Sequence, residues 1–493
     1  MNGRNILAGF GTVAVAVFAA FYIISGQRCD VMSVPVVTAV VVLFFLSSLV
    51  LFSFRKDDDA LFSPMAMAGL GILLYFLFPV IDMLLFPGQG KDLHLLYYGR
   101  LTGDDEPVVL KSVLLMILGL VFFYLGYVMR LGSVLSRMYL VPPEHISYKK
   151  LLPVVWLYLV FFAVVAFTLL HNVGGAYNLL TTPRGDRLFL FAKARVSSFM
   201  INYIFIIVFL VYFYHSNTAS RGSFSLFIFT LIAVVVFFNI YNASRRDTIF
   251  IVMSLVVYHN LAVKKIRFKT VALLTAALLA FSIFMVSARN YLQNPDFRGS
   301  FASSMADITS SESVHDKLAV SMDYPYVYDA LLNIISAVPE RVPYLYGETF
   351  LKFVYFPIPR FIWPDKPETA ARIIVKKFYP ELYSTGMSIS ASPIGEGYFN
   401  FGALGVAGVM FVLGIIARSL KTYHMANKNN KGAVLLYAAM LPGVFEYFRG
   451  YFFETTLYYT VAALLLSLAL FLSRGKAPQA VAEMAAAVPE GGT

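Results

Sequence analysis

The sequence predicts an all-α, polytopic integral membrane protein, and three observations carry that expectation. Hydrophobic residues fill 59% of the 493 positions and charged residues only 14%, where a soluble domain carries about a quarter. The mean hydropathy is +0.72. Apolar runs of about 20 residues, the length a helix needs to cross a hydrocarbon core, recur along the chain.

Taken in order, the runs place about twelve helices. They fall at residues 5–25, 34–54, 64–86, 109–130, 151–171, 196–215, 223–241, 247–263, 269–288, 397–418, 432–448 and 451–473. The first lacks a small-residue cleavage site and is followed at once by a second full-length run, so it reads as a retained helix and not a signal peptide. The run at 247–263 is short and follows a tight turn. Four segments result: helices one to nine over 1–288, a large outward loop or cap with short helices over 289–396, helices ten to twelve over 397–473, and an alanine-rich, disordered cytoplasmic tail over 474–493.

Lysine and arginine in the short loops set the orientation. With the N-terminus inside, Arg55, Lys56, Lys149, Lys150, Arg221, the cluster KKIRFK (264–269), the loop RSLKTYHMANKNNK (418–431) and the stretch SRGK (473–476) all face the cytoplasm. Both termini are then cytoplasmic. The net charge of +11 points to anionic partners, and no nucleic-acid motif accompanies it. The single cysteine, Cys29, excludes an intrachain disulfide framework and a cysteine metal site. The histidines are scattered and no acidic ligand set is visible, so no metal or cofactor is expected.

The outward side nevertheless holds many arginines, among them Arg245, Arg246, Arg289, Arg360 and Arg449. Arg245 and Arg246 stand in the shortest loop, YNASRRDTIF (241–250), against the positive-inside tendency. Two readings apply. Interfacial arginine can snorkel to lipid phosphate or pair with a carboxylate such as Asp247. A converging set can seat a diphosphate, since guanidinium binds phosphate bidentately and stays charged.

Within the loop, DYPYVYDALLNIISAVPER (323–341) places Tyr328, Leu331, Leu332, Ile335 and Val338 at helical spacing. PRFIWPDKP (359–367) sets Arg360, Asp365 and Lys366 on a proline-braced turn that no regular helix tolerates. Helix can resume at PETAARIIVKKF, with Pro367 in its first turn. Trp363 and the tyrosines suit a membrane interface or stacking on sugar rings. GEGYFNFG (395–402) holds Glu396 between two glycines at a helix mouth, either as a dipole cap or as a group a ligand can approach. FEYFRG (445–450) spaces Glu446 and Arg449 for an i,i+3 pair. Asp82 and Glu454 are carboxylates inside runs, functional candidates by default.

PRFIWPDKP followed by GEGYFNFG after the large loop, with ASRR at an earlier outward helix end, resembles the O-antigen polymerase (Wzy-type) family. The resemblance is strongest over about 240–450. One feature departs from it: Arg187 and Arg289 are followed eleven positions on by Ser198 and Ser300, where some members have glycine.

The resemblance implies a GT-C-like membrane glycosyltransferase in the bacterial inner (plasma) membrane, its large loop periplasmic. Such an enzyme polymerises undecaprenyl-diphosphate-linked oligosaccharide repeat units into O-antigen or a related surface polysaccharide. Donor and acceptor are both lipid-linked, and polyprenyl diphosphate is released without a metal. A flippase and a chain-length regulator are the implied protein partners. Charge builds on the leaving group, so fixed cations are needed there. Arg245, Arg246, Arg289, Arg360 and Arg449 are expected to take the diphosphate, Glu396 or Asp365 to act as base, and Trp363, Tyr398 and Asn400 to hold sugar. Three alternatives stay open: a lipid-linked oligosaccharide flippase or transporter, an O-antigen ligase, and an export scaffold.

Overall fold

A computed structural model describes residues 34–53, 60–85, 103–182, 191, 194–218, 220–242, 245–267, 269–278, 280–281, 324–355, 362–363, 366–383 and 388–475. Its principal helices are α1 (Val34–Ser53), α2 (Pro64–Ile72), α3 (Phe78–Leu85), α4 (Glu106–Val128), α5 (Tyr148–Asn172), α6 (Arg195–Ile201) and α7 (Phe205–Thr218). They continue with α8 (Arg221–Asn242), α9 (Arg245–Tyr258), α10 (Tyr324–Ala337), α11 (Ala370–Phe378), α12 (Ser392–Asn427), α13 (Lys431–Arg449) and α14 (Phe452–Leu472). Among the described residues the only β-pairing is one bridge, Ile146 with Arg474. By length and composition 7 helical segments there can cross a membrane: Pro64–Asp82, Glu106–Val128, Tyr148–Asn172, Val196–Thr218, Arg246–Val263, Ser392–Asn427 and Phe452–Leu472. The run expected at 5–25 lies outside the described residues.

The chain divides into two compact units, the first made of Met1–Met138, Phe268–Tyr423 and Leu441–Tyr459, the second of Tyr139–Arg267, His424–Met440 and Thr460–Thr493. In the first, α2 starts on a built cap. Ser63 accepts from the Ala66 N–H at 3.2 Å, and Pro64 occupies the first turn, where its missing donor costs nothing. A π-helical turn, Leu73–Leu77, joins α2 to α3. Helices α4 and α12 approach through glycine. A methyl group on Gly126 would stand 2.1 Å from the Phe411 carbonyl, and one on Gly414 2.1 Å from that of Phe123. Small residues at such contacts let backbones meet where no hydrophobic drive operates between helices in lipid. Lys111 lies beside Tyr398 and Ser133 beside Thr422, so α4 and α12 run parallel. Phe448 of α13 fills the space next to them, its ring 5.7 Å from Phe76 and 5.6 Å from Phe123.

Helix α10 is the stretch that 323–341 predicts, and its expected apolar positions are buried: Tyr328, Leu331, Leu332, Ile335 and, just beyond its end, Val338. It is buried on its polar side too. The Tyr328 hydroxyl meets Ser112 Oγ of α4 at 2.9 Å, and Asp329, with no exposed surface, accepts from the Tyr379 hydroxyl at 2.5 Å. Burial, and after it the Asp329 carboxylate, pushes the Tyr379 phenol well above its ordinary value, so it stays a donor. Helix α11 begins three residues beyond Pro367, at Ala370, and is capped by Thr369, whose side chain accepts from the Arg372 N–H. A threonine cap bonds the first turn, which proline cannot do.

In the second unit, Tyr158 of α5 donates to the Leu465 carbonyl of α14 at 2.6 Å. Asn430 caps α13, accepting from the Ala433 N–H at 3.1 Å while donating to the Pro142 carbonyl at 2.7 Å. The Tyr212 hydroxyl meets His259 Nδ1.

Candidate functional site

Helix α12 is where the sequence and the structure differ most usefully. The expected helix starts at 397. The observed one starts at Ser392 and breaks at Phe401 (φ −142°, ψ 23°) and Gly402 (φ 62°, ψ −144°). The Gly402 conformation is essentially closed to side chains. The break folds the two halves together, so that a methyl group on Gly405 would stand 2.0 Å from the Gly397 carbonyl. The carbonyls freed at the break are capped from elsewhere: the Leu345 N–H donates to Phe399 O at 3.0 Å and the Tyr346 N–H to Asn400 O at 3.2 Å. Asn400 locks this loop. Its Nδ2 donates to Thr349 Oγ1 at 2.9 Å and to Glu396 O at 2.8 Å, and its Oδ1 accepts from the Gly347 N–H at 3.0 Å. The loop is strained in return, with Tyr346 at φ 45° and Gly347 at φ 91°. A bulky side chain at positive φ is a conformational outlier.

The short first half of α12 carries Glu396 into the protein. The residue is 1% exposed. Its Oε2 accepts from the Phe452 N–H at 2.8 Å, the first backbone donor of α14. The carboxylate therefore closes the N-terminus of another helix, where the peptide dipoles favour negative charge. Its Oε1 is buried with no hydrogen-bond partner.

The turn FRGYFFE builds the rest. Helix α13 ends as the Gly450 N–H returns to Glu446 O at 2.7 Å, and a methyl group at Gly450 would meet Thr455 Oγ1 at 2.9 Å. Arg449 Nη1 donates to Glu446 Oε1 at 3.2 Å, the expected i,i+3 pair. Tyr451 donates to the Ile389 carbonyl and ties the turn to the entry of α12. Glu454, in the first turn of α14, takes Lys352 Nζ on Oε1 at 2.6 Å. Lys352 is 5% exposed and lies 5.0 Å from the Phe453 ring centre. A buried amine needs such a partner, because desolvating it alone is costly.

Lys352 is the residue that sequence reasoning missed. The available signal was one lysine inside TFLKFVYF, an otherwise apolar and aromatic run. Of the residues singled out in the sequence, Glu396, Tyr398, Asn400 and Arg449 fall in this region of the first unit. Tyr398 is buried, its ring 6.3 Å from that of Tyr344 and under Lys111 Nζ at 4.9 Å. Trp363 is 40% exposed and packs edge-on to Tyr355 at 5.9 Å. In the second unit, Arg246 is exposed and donates to the buried Asp247 at 3.3 Å. The side chains of Arg245, Arg289, Arg360 and Asp365 lie outside the described residues.

A polytopic helical protein with a broken helix carrying a buried carboxylate to the start of its last helix is the class that fold and site define. Residues 11–475 match the model of the O-antigen polysaccharide polymerase Wzy family, and the chain belongs to that family. It is also similar to proteins named O-antigen polymerase from Salmonella typhimurium (strain LT2) and Salmonella typhi, each 29% identical over 105 residues. That stretch covers 21% of this chain and 25% of theirs, so the alignment spans a quarter of the length of these relatives. No solved structure matches the chain.

Proposed function

We propose that this protein polymerises oligosaccharide repeat units carried on undecaprenyl diphosphate, at the periplasmic face of the bacterial inner membrane. The observation that carries the reading is the family match over 11–475. A buried carboxylate with one oxygen anchored and the other unpartnered supports it.

The chemistry is a glycosyl transfer. An acceptor hydroxyl oxygen on the incoming repeat unit attacks the anomeric carbon of the growing glycan. Its proton passes to Glu396, and the anomeric C–O bond breaks toward the diphosphate, which leaves with the electron pair. Fixed positive charge lowers the cost of that departure. Arg449, Arg245, Arg246, Arg289 and Arg360 are the groups assigned to it, with Asp365 in reserve as base. Trp363 and Tyr398 offer rings for stacking. Both amide hydrogens of Asn400 and its oxygen are engaged within the protein, which makes it chiefly a support for Glu396 and the loop, with sugar contact its secondary role. The orientation of Glu396 Oε1 comes from the Phe452 N–H, so the base is set before substrate arrives.

The test uses purified protein in detergent with a lipid-diphosphate-linked repeat unit and no nucleotide sugar. A ladder of glycan lengths on a gel is the expected result. Transport of that lipid in vesicles without a ladder, or transfer onto lipid A core, overturns the reading in favour of a flippase or a ligase.

A further inference from the structure

The carboxylates of Glu396 and Glu454 meet at the start of α14 in matching arrangements. Each is anchored through one oxygen only: Glu396 Oε2 by the Phe452 N–H and Glu454 Oε1 by Lys352 Nζ. The other two oxygens, Glu396 Oε1 and Glu454 Oε2, are both buried and have no hydrogen-bond partner. Glu454 stands in the same first turn of α14 as Phe452, whose N–H holds Glu396 at 2.8 Å. Leaving buried acceptors unmade is costly in a folded protein, and anchoring the first oxygen of each carboxylate fixes where the second one points.

We propose that Glu454, positioned by Lys352, is the second carboxylate of a saccharide site in which Glu396 takes the reacting hydroxyl and Glu454 a neighbouring one. The inference rests on the polymerase reading above and names what the site grips. The chemistry follows from the two vacant partners. Both are acceptors, so the ligand brings donors. Two carboxylates against one ammonium leave the pair net negative, which repels a phosphate and suits neutral hydroxyls. Adjacent hydroxyls on a pyranose supply two donors on one rigid frame. The diphosphate then belongs to the arginines and the sugar to this pair. Lys352 touches no substrate in this arrangement; packed against Phe453, it holds Glu454 in register.

The experiment compares two probes on the full-length protein in detergent. One is the lipid-linked oligosaccharide extracted from host cells deleted for this chain; the other is undecaprenyl diphosphate without glycan. Glu454→Gln keeps the bulk and removes the accepting oxygen. It is expected to weaken binding of the glycan-bearing lipid about tenfold or more, with binding of the bare lipid unchanged. Lys352→Arg is expected to retain most of the discrimination between probes. Equal loss for both lipids, or no loss for either, overturns the proposal. If Glu454→Gln fails to fold by thermal melt, Glu454→Asp, which withdraws the carboxylate by one methylene, takes its place with the same expected contrast. The wild type is run in the ladder assay alongside. A wild type with no ladder removes the polymerase reading itself, whereas a ladder with a wild-type-like Glu454 variant removes only the second carboxylate.

Discussion

At the scale of single residues, Glu396 and Lys352 are the buried charges on which the site depends. Glu396→Gln preserves shape and still accepts the Phe452 N–H through its amide oxygen. It is expected to abolish the ladder while leaving the thermal melt near wild type; a full ladder from this variant removes Glu396 as base. Lys352→Met acts on stability. It strands Glu454 beside Glu396 with no counter-charge. Breaking a fully buried pair costs roughly 3–5 kcal/mol. The Glu454 side chain keeps 34% of its surface open, so about 2 kcal/mol is expected here. Adding Glu454→Met to Lys352→Met should recover part of that loss, because both charges are then gone. A double variant no more stable than the single one means the pair contributes nothing. Glu396 was legible in GEGYFNFG, because flanking glycines advertise a close backbone approach. Lys352 was not, because its meaning lies in Glu454, over a hundred positions away, and no local pattern records that partnership.

At the scale of elements, the break in α12 and the glycine contacts along it decide the geometry. Gly402→Ala puts a side chain at φ 62°, ψ −144°, a conformation costing of order 1–3 kcal/mol, and adds contact with the Tyr344 hydroxyl at 3.0 Å. Gly414→Ala drives a methyl group against the Phe123 backbone at 2.1 Å, which only separation of α4 and α12 relieves. Gly408→Ala meets nothing within 4 Å and gains the better helix propensity, worth up to about 1 kcal/mol. The expected order of melting temperatures is therefore Gly408→Ala at or above wild type, with the other two clearly below. Equal melts for all three mean that the glycines do not set the helix spacing. Apolar runs announce helices such as α4, α5 and α14 because length and composition alone decide them. The start of α12 at Ser392 and its break could not be read that way. They depend on Leu345, Tyr346 and Gly347 reaching across to cap the ends, a tertiary contact that overrides local propensity.

At the scale of the whole molecule, the proposed chemistry demands that Glu396 and the loop around Tyr346 face outward. The parallel course of α4 and α12 in the first unit requires an odd number of crossings between them if both cross. The expected order of spans, fourth and tenth, meets that requirement, and the positive-inside tendency of the loop RSLKTYHMANKNNK at the C-terminal end of α12 carries the expectation that this end is cytoplasmic. Cysteine labelling tests this directly, because Cys29 is the chain's one native thiol and Cys29→Ser gives a blank background. Tyr346 is 71% exposed, and Lys428 is exposed in the turn between α12 and α13. In intact spheroplasts, Tyr346→Cys is expected to react with a membrane-impermeant maleimide at once. Lys428→Cys should react only after permeabilisation. Both variants carry conservative risk to folding, since neither side chain is buried, and the ladder assay on each confirms a working protein. The reverse pattern would turn the carboxylates toward the cytoplasm, away from the periplasmic substrates assigned to them. The polymerase mechanism built on Glu396 would then fall even if the family membership stands.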